Sequence, residues 1–195
     1  MRNLLILLAA LFAAFTAAAA QSPAPRASAV FAGGCFWCTE SDFDKIPGVV
    51  STTSGYIGGK VANPTYEQVS AGGTGHIEAV RIVYDPTRVS YATLASRFFR
   101  TIDPLDSGGQ FCDRGYQYRS AIFVADAAQR SAALEAKAKA AAALKKPVAT
   151  LILPAARFYP AEGYHQDYYK KNPVRYRFYR YNCGRDARLK RVWGG

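Results

Sequence analysis

Histidine is scarce in this chain: His76 and His165 are the two present among 195 residues. No Gly-x-Ser-x-Gly motif accompanies them, so a Ser-His-Asp hydrolase has little support. A lone histidine at either place reads first as a structural hydrogen-bonding residue. Cysteine is sparse too, with four residues, of which only Cys35 and Cys38 have knuckle spacing. Cys112 and Cys183 stand apart, which argues against a zinc site, and no metal is expected. There is no internal repeat. The run Gly72-Gly73-Thr74-Gly75 leads into a strand-like segment rather than a helix, which weighs against a nucleotide cradle. The length suits one domain with a substantial core and is too short for two ordinary ones.

Acidic residues are also in short supply: 14 Asp and Glu face 25 Lys and Arg, for a net charge of +11. Much of the excess is local, with nine Lys and Arg against one Asp between Lys170 and Arg191. Arg175-Tyr176-Arg177-Phe178-Tyr179-Arg180-Tyr181 interleaves bases with aromatics, a pattern that suits nucleic acid or an anionic membrane surface. In an exported protein the plainer reading is a solvated tail that packs its aromatics on the domain and shows its charges to water. No nucleic-acid partner is expected.

Export is what the first residues indicate. Met1-Arg2-Asn3 gives a basic start, Leu4 to Phe15 is uninterrupted apolar sequence, and Ala18-Ala19-Ala20 offers small residues for cleavage. Residues 1–20 therefore read as a secretory signal peptide, its core short for a spanning helix. No cysteine follows the alanines, which argues against a lipid anchor. Residues 21–27, rich in Pro, Ser and Ala, make a flexible leader, and 28–195 form the domain. The expected location is the periplasm, with no stable membrane insertion after cleavage, as a monomer whose four thiols meet an oxidising compartment.

Along the domain, Val30 to Ala32 reads as a buried strand and Phe36 to Ile46 as a helix ended by Pro47-Gly48. Val49 to Tyr56 is a weakly alternating strand, and Ile77 to Tyr84 is the clearest one, with Glu78, Val80, Ile82 and Tyr84 on one face. Ser90 caps a helix carrying Tyr91, Leu94, Ala95 and Phe98. Arg119 to Ala125 is a strand, Asp126 caps an Ala-rich helix through Lys145, and Val148 to Leu153 returns as a strand before a short helix from Ala161 to Lys170. This order predicts an α/β (α+β) fold: one two-layer domain with a mixed sheet, a ferredoxin-like core and a long irregular C-terminal tail.

The most informative stretch is Gly33-Gly34-Cys35-Phe36-Trp37-Cys38-Thr39-Glu40. A strand runs into two glycines and a helix begins at once, which places the Cys35 thiol in the first helical turn. Free N–H groups and the positive end of the dipole favour a thiolate there. Two large aromatics lie beside it, and Cys38 completes C-x-x-C. Nucleophilic sulfur chemistry is the leading reading.

Gly-Cys-Phe-Trp opening a helix resembles the A-type peptide methionine sulfoxide reductases. The resemblance continues through Gly55-Tyr56-Ile57-Gly58-Gly59, Asn63-Pro64-Thr65-Tyr66, Gly75-His76-Ile77-Glu78 and Asp113-Arg114-Gly115-Tyr116-Gln117-Tyr118-Arg119-Ser120. It closes with Ala161-Glu162, His165-Gln166-Asp167-Tyr168 and Asn172-Pro173, spanning about residues 28 to 175. It implies thiol-dependent reduction of methionine S-sulfoxide, free or in proteins, through a cysteine sulfenic acid and a disulfide. Cys35 would be the nucleophile, Glu78 the proton donor, Tyr66 and Tyr118 neutral donors to the oxygen, and Asp113 a supporting acid. Phe36 and Trp37 would cage the substrate methyl. A thioredoxin-like dithiol would restore the enzyme, with no metal or organic cofactor.

The residues alone leave several of these points open. Alternation permits a buried or a solvent-facing Glu78. Thirteen tyrosines make Tyr66 and Tyr118 ordinary packing residues until the resemblance singles them out. Cys38, one turn from Cys35, is the expected resolving cysteine, and Cys112–Cys183 a structural disulfide; in the competing scheme Cys183 resolves Cys35. Two other function classes stay in view. A thiol-disulfide oxidoreductase would explain the Cys35–Cys38 pair but not Glu78, Tyr66 and Tyr118, and a basic binding module would need no thiol.

Overall fold

The computed structural model describes residues 25–194, so the expected signal peptide and the first part of the leader lie outside the described residues. Strand β1 (Ala27–Gly33) is followed by helix α1 (Phe36–Phe43), strand β2 (Val49–Ile57), the short helix α2 (Tyr66–Ser70), strand β3 (Ile77–Tyr84) and helix α3 (Tyr91–Arg100). A small ladder of β4 (Gly109–Gln110) and β5 (Asp113–Arg114) leads through a 3-10 turn at Tyr116–Tyr118 into strand β6 (Ser120–Val124) and helix α4 (Ala127–Leu144). Strands β7 (Leu151–Pro154) and β8 (Phe158–Pro160) precede α5 (Tyr168–Lys171), α6 (Pro173–Asn182) and α7 (Arg185–Trp193).

Six strands form one mixed sheet in the order β7-β6-β1-β3-β2-β8. The β6–β7 pair is parallel and the other pairs are antiparallel. Its inner four strands, β6-β1-β3-β2, with α1 between β1 and β2 and α3 between β3 and β6, are the expected ferredoxin-like core.

Strand β3 lies in the middle of that core, which explains why nearly all its residues are buried rather than every second one. Val80 and Ile82 join Phe31, Phe43, Leu94, Phe98 and Ile102 on the helix-covered side. Ile77 and Ala79 join Ala32, Ile57, Ala121 and Phe123 on the other. Phe31 anchors the larger cluster, its ring stacked 5.1 Å from both Phe43 and Phe98. The expected caps are in place: the Thr93 N–H donates to Ser90 Oγ at 3.1 Å and the Gln129 N–H to Asp126 Oδ1 at 2.8 Å.

The C-terminal region departs from the sequence reading. The expected irregular tail is helical over α6 and α7, with Pro173 at the start of α6, where its missing N–H costs nothing. Tyr176 is buried, but Phe178 and Tyr181 face solvent while Arg185 is buried, so aromatics and charges do not sort as expected. Residues 161–167, expected as helix, are mostly turn: the Gln166 amide bonds both the N–H and the carbonyl of Ser54, and Asp167 sits in the left-handed region. No helix among the described residues is long and apolar enough to cross a membrane.

A Cys112–Cys183 disulfide ties the C-cap of α6 to the residue before β5 across 71 residues of sequence. Closing a loop of that length restricts the unfolded chain and contributes roughly 4–5 kcal/mol in the chain-entropy account. Replacing both cysteines by serine should therefore lower the unfolding free energy by about that amount, as read by denaturant titration. Unchanged stability would mean the bridge does not constrain the unfolded chain.

Candidate active site

The site starts where β1 ends. Gly34 has φ +79°, and a Cβ there would lie 2.5 Å from the Gln110 side chain, so the turn into α1 needs glycine. Cys35 is the N-cap residue of α1, and its carbonyl accepts from the N–H groups of Cys38 at 3.2 Å and Thr39 at 3.3 Å. Its thiol stands at the start of the helix and is 7% exposed.

Glu78, on β3, reaches the same point from below. Its carboxyl is 2% exposed, which excludes the solvent-facing alternative, and its Oε2 accepts from the Phe36 N–H at 3.0 Å. Burial pushes it up to about 8 despite that bond, with the Asp113 charge adding to the rise. Glu78 therefore holds its proton near neutral pH, as a carboxyl must to act as an acid.

Tyr66 and Tyr118 come from different elements, Tyr66 opening α2 and Tyr118 closing the 3-10 turn. Both line the same cavity, and burial raises both, Tyr66 to about 12, so both stay protonated donors. Thr65 and Gln68 cap α2 reciprocally, and the Tyr66 N–H donates to Glu162 Oε1 at 2.8 Å. The other Glu162 oxygen accepts from Tyr56 at 2.8 Å, and Tyr56 pairs with Glu78 across the sheet. Asp113 accepts from the Tyr179 hydroxyl at 2.5 Å.

These groups converge. Cys35, Phe36, Trp37, Tyr66, Glu78, Asp113, Tyr118 and Tyr179 line one cavity of about 60 Å³. That is room for a small group, the volume of about two waters in the liquid. Trp37 is held on two sides: its Nε1 donates to His165 Nδ1 at 3.0 Å, and its ring stacks on Tyr168 at 3.7 Å. Such a pocket offers a sulfur nucleophile, a protonated acid, neutral phenols and an aromatic wall within one small space.

The two thiols of C-x-x-C differ from the expected picture in one respect. Both are reduced and buried. Burial raises Cys35 well above the usual thiol range, and its hydrogen bond to Cys38 raises it further. Cys38 is lowered to about 7, by that same bond first and then by Arg185 and Arg180 against the opposing effect of burial. Burial thus opposes at Cys35 the thiolate that the helix terminus alone favours. Low dielectric around Cys35 outweighs the dipole.

Several site residues escaped the sequence reading. Tyr179 was one aromatic among many, His165 read as a generic structural histidine, and Arg185 belonged to a tail expected in water. His165 is 1% exposed and, besides accepting from Trp37, packs its ring 4.9 Å from Phe36 and 4.5 Å from Tyr66. The spacing Thr65-x-x-Gln68 is a capping-box signal that could have located α2, and with it the orientation of Tyr66.

Residues 27–195 match the family model described as peptide methionine sulfoxide reductase. The chain is 52% identical over 197 residues to peptide methionine sulfoxide reductase MsrA 2 of Caulobacter vibrioides, covering 100% of each. It is 55% identical over 166 residues to the protein of the same name from Rhizobium meliloti, covering 85% of this chain and 83% of that one. Among solved structures, methionine sulfoxide reductase A of Corynebacterium diphtheriae superposes with a TM-score of 0.68 at 37% identity, covering 79% of this chain and 78% of the other. Mxr1 from Saccharomyces cerevisiae in its reduced form gives 0.74 at 33% identity, over 78% and 89%. With its cavity built from the residues that carry the resemblance, this chain belongs to the peptide methionine sulfoxide reductase family.

Proposed function

We propose that the protein reduces the S epimer of methionine sulfoxide, free or in proteins, and so repairs oxidised proteins. The observation that carries this reading is the cavity in which Cys35, Glu78, Tyr66 and Tyr118 meet beside Phe36 and Trp37. The substrate methyl packs against the two aromatics, and Cys35 sulfur attacks the sulfoxide sulfur. Glu78 gives its proton to the oxygen while the phenols donate hydrogen bonds to it. Methionine leaves, and Cys35 is left as a sulfenic acid. Cys38 then forms an S–S bond with Cys35, and the sulfenic oxygen departs as water. A thioredoxin-like dithiol reduces the Cys35–Cys38 disulfide and closes the cycle.

Cys38 is favoured as the resolving thiol because Cys183 is already bridged to Cys112, whereas Cys38 is free and stands one helical turn from Cys35. A general thiol-disulfide oxidoreductase fits less well: both thiols are buried, and such an enzyme has no use for a protonated Glu78 between two phenols. The apolar stretch Leu4 to Phe15 and the Cys112–Cys183 bridge together support export to the periplasm.

Four outcomes test this reading. Racemic methionine sulfoxide incubated with enzyme and dithiothreitol should stop at about half conversion, since a fixed acid and a fixed methyl wall reject the mirror arrangement. Complete consumption would reject the assignment. Glu78 keeps its proton below about 8, so the reductase rate should fall as pH rises through that value. In Glu78→Gln the single-turnover rate should drop on the order of a hundred- to ten-thousand-fold and lose that alkaline limb, with binding little changed; an unaltered rate would move the acid role elsewhere. Peptide mapping after one turnover without reductant should recover a Cys35–Cys38 linkage. A Cys35–Cys183 linkage, or a Cys38→Ser enzyme that still cycles with thioredoxin, would favour the tail cysteine.

A further inference from the structure

The side of α6 turned away from the domain is the apolar one. Val174, Phe178 and Tyr181 recur at i, i+4 and i+7, which puts them in one stripe along the helix, and they are 70%, 69% and 83% exposed. The inward side carries Tyr176, which is buried, and Tyr179, which lines the cavity. A single large apolar side chain on a surface calls for no explanation, but a stripe of three does. Bases flank it. Arg175 and Arg177 are exposed on its two sides, and Arg177 and Tyr181 meet Ala187 and Lys190 of α7 across an open cleft of about 330 Å³. Among the described residues Arg175, Arg177 and Lys190 enter no ion pair, whereas Asp186, the acidic residue of the cleft, is held by Arg180 at 2.7 Å.

We propose that the outer face of α6, with the adjoining base of α7, docks the domain on the surface of an anionic phospholipid bilayer. Val174 and Phe178 have no polar side-chain atom to offer a partner and gain only by leaving water. Tyr181 adds a ring with a hydroxyl, which suits the boundary between acyl chains and headgroups. Arg175, Arg177 and Lys190 carry their charge on long apolar stems, so the charge stays at the phosphate layer while the stripe enters beneath it. At ten residues α6 is about 15 Å long, too short to cross the hydrocarbon, so it lies in the interface. The Cys112–Cys183 bridge holds the end of α6 on the domain, so the surface is formed before docking and little ordering is needed. Other occupants fit less well. Two copies joined on this face would set its bases against the same bases of the partner copy. A thiol donor must reach Cys35, which lies on the inward side of α6, away from the stripe. A nucleic acid would answer the charge, but its phosphates gain nothing from the aliphatic Val174.

Residues 21–195 contain the whole family match and both apolar clusters of the core, and testing them keeps the apolar run Leu4 to Phe15 from binding lipid on its own account. The experiment is co-sedimentation of this chain, its bridge intact, with vesicles of equal parts phosphatidylglycerol and phosphatidylcholine, beside vesicles of phosphatidylcholine alone. Partitioning onto the mixed vesicles should be stronger by about tenfold or more. Phe178→Ser with Tyr181→Ser should weaken it about tenfold or more, and Arg177→Gln with Lys190→Gln about tenfold. All four side chains are exposed, so circular dichroism of the variants should match that of the parent. Equal partitioning onto both kinds of vesicle, or onto neither, would overturn the proposal. So would partitioning that survives either pair of substitutions; survival of the serine pair alone would mark a surface that works by charge, as one for nucleic acid or an acidic protein does. Concentration-dependent dimers without lipid, abolished by Phe178→Ser, would give the face to a second copy instead. Vesicle binding needs no turnover, so its failure and the failure of the proposed reaction are separate results.

Discussion

The Phe36 N–H donates to Glu78 Oε2 at 3.0 Å, and this bond joins the start of α1 to the start of β3 across 42 residues of sequence. It sets the acid beside the thiol, because Phe36 directly follows Cys35. It also gives a buried carboxyl one fixed partner without a countercharge. A guanidinium in that place would hold Glu78 ionised and remove its use as an acid. A neutral amide from a helix terminus fixes direction while burial keeps the carboxyl protonated.

Around this bond the site is braced from the sheet edge. Glu162 links Tyr56 to the first turn of α2, so the residue opposite Glu78 in the sheet and the phenol Tyr66 share one carboxylate. His165 does the same for the aromatic wall, accepting from Trp37 as it packs on Phe36 and Tyr66. Burial lowers His165, so it stays neutral and keeps Nδ1 free to accept from the indole. The cavity is thus held open by residues that do not line it.

What the sequence disclosed and what it hid follow from how local the causes are. The two glycines before Cys35, the Ser90 and Asp126 caps and the β3 pattern act within a few residues, and each is legible in the chain. The buried side of Glu78 is not, because β3 is covered on both faces and alternation carries little information in a central strand. Tyr179, Arg180 and Arg185 depend on where α6 and α7 dock, a long-range matter that a basic, aromatic run conceals. The inward positions of α6, Tyr176 and Tyr179, are interleaved with exposed Arg177 and Phe178, so composition there suggests a tail in water. The partners of Asp42 on α1 were hidden for the same reason, since Arg180 and Arg185 lie more than a hundred residues away in the chain.

The disulfide and the site are connected through that docking. Cys183 ends α6 four residues after Tyr179, and Gly184 turns the chain into α7 at Arg185. Bridging Cys183 to Cys112, next to Asp113, fixes at one point the phenol that caps the cavity and the buried guanidinium of Arg185. A cysteine spent on that bridge is not a free thiol for the sulfenic acid, and a tail pinned by it has little room to sweep across the site. The bridge and the docking of α6 and α7 are therefore two sides of one arrangement. Tyr179 lines the cavity from α6 and Arg185 is buried against the Gly33 carbonyl, so the pinned tail serves as a wall of the site.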